Sequence, residues 1–206
     1  MMFREAIHRL RTILSILKII FSSGLTVDLG AILSEYNVGG LVLDLAAGGS
    51  GSGPKVLGEN IVALDISIDE IKEAIKGGAQ AWWICADGRM TPFRDGVFDY
   101  VITFYGLMFI YKKENKKRIL KENLRVLKKN SKMLLVEPII KKEMGSYFAK
   151  IRVLDRGDFL HETCFGISGK GIKQTLELLR EFAAENDIPL RYTETEHYFV
   201  AVLTKS

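Results

Sequence analysis

Five short, almost wholly apolar runs set the limits on what this chain can fold into: LVLDL (41–45), IVALD (61–65), AWWIC (81–85), YVITF (100–104) and MLLVE (133–137). A strand that alternates apolar and polar residues keeps one wet face. A run that is apolar at almost every position has to be covered on both faces, as in a parallel sheet lying between two layers. The first three runs begin twenty residues apart, which leaves room for one helix and its turns, the spacing of right-handed β-α-β crossovers. Helix punctuation lies between them. Ser67 and Glu70 read as a capping box, Ile68, Ile71 and Ile75 share a helical face, and Gly77-Gly78 ends the segment.

This succession predicts an α/β fold with a Rossmann-like, doubly wound, mostly parallel sheet. Towards the C-terminus, a helix from about 170 to 185 precedes RYTETE and YFVAVLTK, two β runs joined by a tight turn at His197, which makes an antiparallel pair. Upstream, Thr26 is the expected cap of a helix reaching Tyr36, with Leu29, Ile32 and Leu33 inward and Gly39-Gly40 ending it. With no repeat or linker in view, 1–206 reads as a single domain. Its parts are an N-terminal helical extension (1–37), a ligand-binding half (40–138) and a substrate-side insertion with the C-terminal β pair (139–206).

The 206 residues, 48% hydrophobic and 26% charged, have the balance of a soluble globular protein. Cys85 and Cys164 stand alone, so neither a disulfide framework nor a metal cluster is expected, and the compartment reads as cytoplasmic. The segment 112–132 holds ten Lys or Arg against Glu114 and Glu122. Ile119, Leu120, Leu124 and Leu127 recur through it at helical spacing, so the cations are read as the solvated side of an amphipathic helix, with nucleic-acid contact the alternative. The first 24 residues resemble a secretory signal in outline. Lys18 interrupts their apolar run, however, and Phe3, Ala6, Ile7, Leu10, Ile13, Leu14, Leu17, Ile20 and Phe21 describe one helical face. A helix packed on the domain is expected there, with peripheral membrane contact the second reading and no transmembrane span. Oligomeric state is not legible.

In an open α/β sheet the ligand lies at the carboxyl ends of the strands, where the strand order reverses. Here that place is LDLAAGGSGSGP (43–54), whose small residues let the backbone approach a ligand and whose Pro54 suits the first turn of a short helix. Spacing disfavours two nucleotide chemistries. A dinucleotide fingerprint finds Pro54 or Val56 where its last glycine belongs, and a P-loop match from Gly48 reaches Gly53 but then reads Pro54-Lys55-Val56. Without that loop, Glu137 at its strand end has little weight as a P-loop acid. A third chemistry places acids at three successive strand tips, and Asp44, Asp65 and Asp87 stand 21 and 22 residues apart. A carboxylate at the second tip is placed to accept hydrogen bonds from both ribose hydroxyls. Each acid taken alone is as readily a turn or helix cap.

The segment CADGRMTPFRDGVFDYVIT (85–103) resembles the stretch between strands three and four of class I S-adenosylmethionine-dependent methyltransferases of the UbiE/UbiG-like, type 11 group. RVLKKNSKMLLVEP (125–138) is similar to the same group's approach to strand five, and the resemblance covers about 40–138. It implies S-adenosylmethionine as cofactor. Asp44 and the backbone of Ala46, Ala47 and Gly48 would hold its methionine end and Asp65 its ribose hydroxyls. Ile66 would lie on the adenine, with Asp87 and Gly88 near the exocyclic amine, and Thr103 to Met108 would face the sulfonium and the acceptor. The group's D-x-G-x-G-x-G pattern calls for glycine where this chain has Ala46, Gly48 and Ser50, so an altered loop is expected.

Methyl transfer from a sulfonium depends on alignment and desolvation, and a dedicated base is optional. TFYGLM (103–108) lacks the Asn/Asp-Pro-Pro-Tyr motif of many amino-methylating enzymes. Tyr105, Met108, Phe109 and Tyr111 are read as the lining of an apolar pocket or as core. Tyr105, His161, Glu162 and His197 are the weak base candidates. The expected function is methylation of a small, apolar molecule under a cover made by the N-terminal helices and 139–169. The alternatives are an RNA or protein methyltransferase and an inactive methyltransferase-like binding subunit.

Overall fold

The computed structural model describes residues 24–140, 146–168 and 175–206. The expected helix over the first residues, and the start of the one near 170, lie outside them. In chain order the elements are β1 (Leu25–Asp28), α1 (Leu29–Glu35), β2 (Val42–Leu45), α2 (Ser52–Leu57), β3 (Ile61–Asp65), α3 (Ile68–Lys76), β4 (Trp82–Cys85) and β5 (Phe98–Phe104). A 3₁₀ turn (Leu107–Phe109) follows, then α4 (Lys113–Val126), β6 (Leu127–Pro138), β7 (Ser146–Asp155), β8 (Asp158–Ser168), α5 (Thr175–Glu185), β9 (Leu190–Glu194) and β10 (Tyr198–Thr204).

Seven strands form the main sheet in the order β4-β3-β2-β5-β6-β10-β9. Neighbours from β4 to β6 pair in parallel, and β10 runs antiparallel to both β6 and β9. The chain adds β3 and β4 on one side of β2, then crosses to lay β5 on the other. The order therefore reverses between β2 and β5, where a crevice opens at the strands' carboxyl ends. Alternate residues of each strand serve opposite faces. Leu43, Leu45, Val62, Leu64 and Val101 meet Ile119 and Leu120 of α4 and Leu179 and Phe182 of α5. Val42, Ile61, Ile102, Leu134 and Val136 meet Leu29, Ile32 and Leu33 of α1. Full burial of such side chains contributes about 1.5–3 kcal/mol each, which is why runs apolar on both faces were needed.

The second face carries a feature the sequence reading missed, a three-stranded sheet in the order β1-β7-β8. Leu25–Asp28 is a strand parallel to β7, so Thr26 is not a helix cap. Thr26 pairs with Arg152, and Asp28 caps α1 instead by accepting from the Ala31 N–H at 2.8 Å. The same Asp28 carboxylate accepts from the Arg156 and Gly157 N–H groups, tying α1 to the β7–β8 turn. Two of the base candidates, His161 and Glu162, lie on β8.

Three smaller expectations are also corrected. In α3, Ile71 is buried, but Ile68 and Ile75 are 49% and 52% exposed, so the buried stripe is Ile71 with Ala74. The amphipathic helix through 112–132 stops at Val126, because Leu127 pairs with Phe98 and is buried as the first residue of β6. Part of the basic stripe is paired: Lys113 with Glu181, Lys117 with Glu185, Lys128 with Asp99, and Arg125 with both Asp95 and Glu122. Among the described residues no helix is long and apolar enough to cross a membrane.

Candidate functional site

The crevice between β2 and β5 holds a cavity of about 790 Å³, within the range of roughly 300–1,000 Å³ typical of small-molecule sites. One wall is the loop after β2. Ala46, Gly48 and Gly51 all take positive φ (55°, 59° and 54°), so this loop turns through the left-handed region three times in six residues. Glycine does so freely, while alanine at 46 is strained. Carboxylates bind the loop's N–H groups: Gly48 N–H donates to Asp65 Oδ2 at 2.9 Å and Gly49 N–H to Glu70 Oε2 at 2.6 Å. The other Asp65 oxygen accepts from the Ser67 N–H at 2.9 Å, holding the carboxylate at the tip of β3.

The loop after β5 forms the floor. A Cβ on Gly106 would come within 2.8 Å of the Ala46 Cβ and 2.5 Å of Thr103 Oγ1, so glycine is what lets the two loops touch. Tyr105, just before it, also has positive φ, 57°. Glu137 fixes this turn from below. It lies fully buried at the end of β6 and accepts from the Leu107 and Met108 N–H groups at 2.8 and 3.1 Å. Burial pushes the Glu137 carboxyl up to about 7, while those backbone donors and the nearby Lys116 pull the other way.

The third wall comes from β8, through Thr163, Cys164, Phe165 and Gly166. Phe165 stacks on Tyr105 (centroids 4.9 Å apart, planes 26°) and meets the edge of Phe104 at 5.6 Å. Phe109 tilts towards it at 6.4 Å. A second link pins the hairpin to the glycine-rich loop, where His161 Nε2 lies 3.0 Å from Ser52 Oγ, itself 3.0 Å from Ser50 Oγ.

Of the residues singled out from sequence, Ala46, Ala47, Gly48, Asp65, Ile66, Asp87, Gly88 and Tyr105 line the cavity. Ile66 presents an apolar side chain that is 68% exposed. Asp87 already holds Arg89, whose Nε lies 3.0 and 2.9 Å from its two oxygens, and that pairing keeps the Asp87 carboxyl below its usual range. Asp44 and Thr103 do not line the cavity. Both lie behind the loops, buried, with Asp44 Oδ1 and Thr103 Oγ1 lacking a hydrogen-bond partner. Burial first, and the charge of Asp65 second, push the Asp44 carboxyl up to about 8. A Cβ on Gly53 would lie 2.2 Å from Asp44 Oδ2, so α2 sits directly on this acid. Thr103 belongs to β5, and the buried Met108 faces away from the cavity, whereas Phe104 to Leu107 and Phe109 to Lys112 line it.

None of the base candidates is set up to take a proton in the cavity. Burial raises the Tyr105 hydroxyl far above its usual range, beside the Tyr147 hydroxyl. His161 is held by Ser52 outside the cavity wall, and burial, with Lys55 nearby, lowers it to about 4. Glu162 pairs with Lys150, and the exposed His197 lies in the β9–β10 turn near Glu196. The hairpin residues, Phe165 above all, were missed. The signal was present: Tyr147, Ala149, Ile151 and Val153 alternate as a half-buried strand, and Arg156-Gly157, both with positive φ, make a hairpin turn.

Residues 43–135 match a family described as a methyltransferase domain, the segment that contains the glycine-rich loop and the three acids. A demethylmenaquinone methyltransferase from Renibacterium salmoninarum is 36% identical over 98 residues, which is 47% of this chain and 40% of that protein. The chain thus spans less than half the length of that curated relative. Among solved structures, a SAM-dependent methyltransferase from Methanosarcina mazei superimposes with TM-score 0.59 at 21% identity, over 87% of this chain and 99% of that one. A magnesium protoporphyrin IX methyltransferase from Synechocystis PCC 6803 with bound SAM gives 0.55 at 16% identity, over 86% and 76%. At these identities the structures establish the fold, which is Rossmann-like.

Proposed function

We propose that this chain, which carries a methyltransferase domain over residues 43–135, transfers a methyl group from S-adenosylmethionine to a small, apolar acceptor. The observation that carries the reading is the division of one cavity into two linings. Asp65 and the turns at Ala46 and Gly48 make one, and Phe104, Tyr105, Phe109 and Phe165 make the other.

The residues present fit the cofactor. Asp65 sits at the tip of β3 as the acceptor for ribose hydroxyls, exchanging the Gly48 N–H for a stronger pair of donors. Ile66 offers an exposed apolar surface that would take the adenine, and Asp87 with Gly88, lining the same cavity, would take its exocyclic amine. Asp44 and Thr103 lie behind the wall, Asp44 packed under Gly53 of α2, so the methionine end would be met by the backbone of Ala46, Ala47 and Gly48. The cofactor supplies an already activated methyl group, so these residues need only align the acceptor and exclude water. Phe165 and the β5 turn, braced by Glu137, do both.

The curated relative is named for demethylmenaquinone, and a planar apolar acceptor of that kind suits the stacked rings. Lys113, Lys117, Arg125 and Lys128 of the basic stripe already hold carboxylates, which weighs against phosphate contact through these four. Calorimetric titration with S-adenosylmethionine, followed by a test of methylation on a panel of apolar ring acceptors, is the experiment. No binding to the folded chain at millimolar cofactor contradicts the reading.

A further inference from the structure

Beyond Phe109 and Tyr111, which are 45% and 48% exposed, the cavity wall becomes polar at Lys112, Asn115 and Arg89. These three differ in what they already hold. The Arg89 guanidinium is taken by Asp87, and its remaining amine reaches Asn115 Oδ1 at 3.4 Å. The Asn115 amide accordingly has Nδ2 left to donate. Lys112 has no carboxylate within ion-pair distance among the described residues, whereas Lys113 and Lys117 on the following helix hold Glu181 and Glu185.

The carboxylates that line the cavity are already engaged and do not serve as the counter-charge to Lys112. Asp65 accepts from the Gly48 and Ser67 N–H groups, Glu70 from the Gly49 N–H, and Asp87 from Arg89. Asp65 and Glu70 thus sit on the side of the glycine-rich loop, and Asp87 is neutralised by Arg89 beside Asn115. The aromatic side ends in one cation without a partner, beside an amide donor. A cation placed this way at the end of an apolar lining attracts and orients an anionic group on the ligand.

We propose that the methyl acceptor is a planar apolar molecule bearing an anionic group, a carboxylate or its equivalent, held at Lys112 and Asn115 while the ring lies against Phe109 and Phe165. This rests on the methyltransferase reading.

The test uses 2-naphthoate and its neutral amide, 2-naphthamide, titrated by calorimetry into the full chain saturated with S-adenosylhomocysteine. The acid is expected to bind roughly threefold to tenfold tighter than the amide at low ionic strength, the range for a partly exposed charge-assisted contact. Added salt is expected to erode that preference. Lys112→Met should abolish it without changing the affinity for the amide, and Lys112→Arg should keep it. An acid that binds no better than the amide, including failure of both to bind, overturns the proposal, as does a preference that survives Lys112→Met. The cofactor titration on the same sample separates the two readings. If cofactor binds and the acid is not preferred, this inference alone falls; if cofactor does not bind, the methyltransferase reading falls with it.

Discussion

Phe165 on the β7–β8 hairpin stacks on Tyr105 in the turn after β5, with ring centroids 4.9 Å apart. Two loops distant in sequence thereby close the acceptor side of the cavity, and the contact makes a prediction about function and stability together. Phe165→Ala is expected to lower stability by about 1–2 kcal/mol, from the lost ring contacts and partial burial. Cofactor affinity should change by less than about threefold, since the cofactor wall lies across the cavity. Thermal unfolding and calorimetry check the two halves separately.

Ala46 occupies a left-handed position where glycine carries no penalty. Ala46→Gly is expected to raise stability by about 0.5–1 kcal/mol, the relief of strain exceeding the added chain entropy. Ala46→Val, branched and pressed against the Gly106 backbone, should lose about 2 kcal/mol or more. Urea unfolding of both variants measures the difference. Equal stability of the alanine and glycine forms would mean the loop carries no strain.

Asp44 makes stability depend on pH with a definite sign. Folded, its carboxyl keeps its proton up to about 8, whereas in the unfolded chain the value is near 3.8. Between those values the folded state binds more protons, so this contribution is complete below 3.8 and lost as pH rises towards 8. Glu137, raised to about 7, acts in the same direction over a narrower window. The urea midpoint is therefore expected to fall between about pH 4.5 and about pH 8, and Asp44→Asn should flatten that fall. A midpoint that rises across the interval contradicts the burial of these two acids.

The hairpin's second anchor gives a further check. His161 holds Ser52 at 3.0 Å and stands outside the cavity wall. His161→Ala is expected to cost about 1 kcal/mol of stability, a single hydrogen bond with some lost packing. Methyl transfer should keep the same pH profile. A profile that shifts in the variant would restore His161 as a base.

These residues also mark what could be read from the sequence. The main sheet was legible because β2, β3, β5 and β6 are buried on both faces, and nothing but a covered strand explains LVLDL or MLLVE. The tips at Asp65 and Asp87 followed from strand ends. β1 was not read because Thr26 before an apolar stretch imitates a helix cap, and the β7–β8 hairpin was not read although apolar residues alternate with Lys150 and Arg152 along β7. That error mattered, since Phe165 lies on the unread element. Exposure within the helices was also hidden: Ile68 and Ile75 suit a buried stripe in sequence, yet α3 meets the sheet through Ile71 and Ala74 alone. In the loop, one displaced glycine, Gly51, takes a left-handed turn, as do Ala46 and Gly48 at their regular places.

The central claim is that the cavity beside Asp65 binds S-adenosylmethionine, and calorimetric titration of the full chain tests it most directly. The wild-type chain is expected to bind at one site. Asp65→Ala, with its fold verified by circular dichroism, should bind about thirtyfold or more weakly, the loss of a charge-assisted pair worth roughly 2 kcal/mol. No heat from the folded wild-type chain at millimolar cofactor, or equal affinity of the Asp65→Ala variant, contradicts the account.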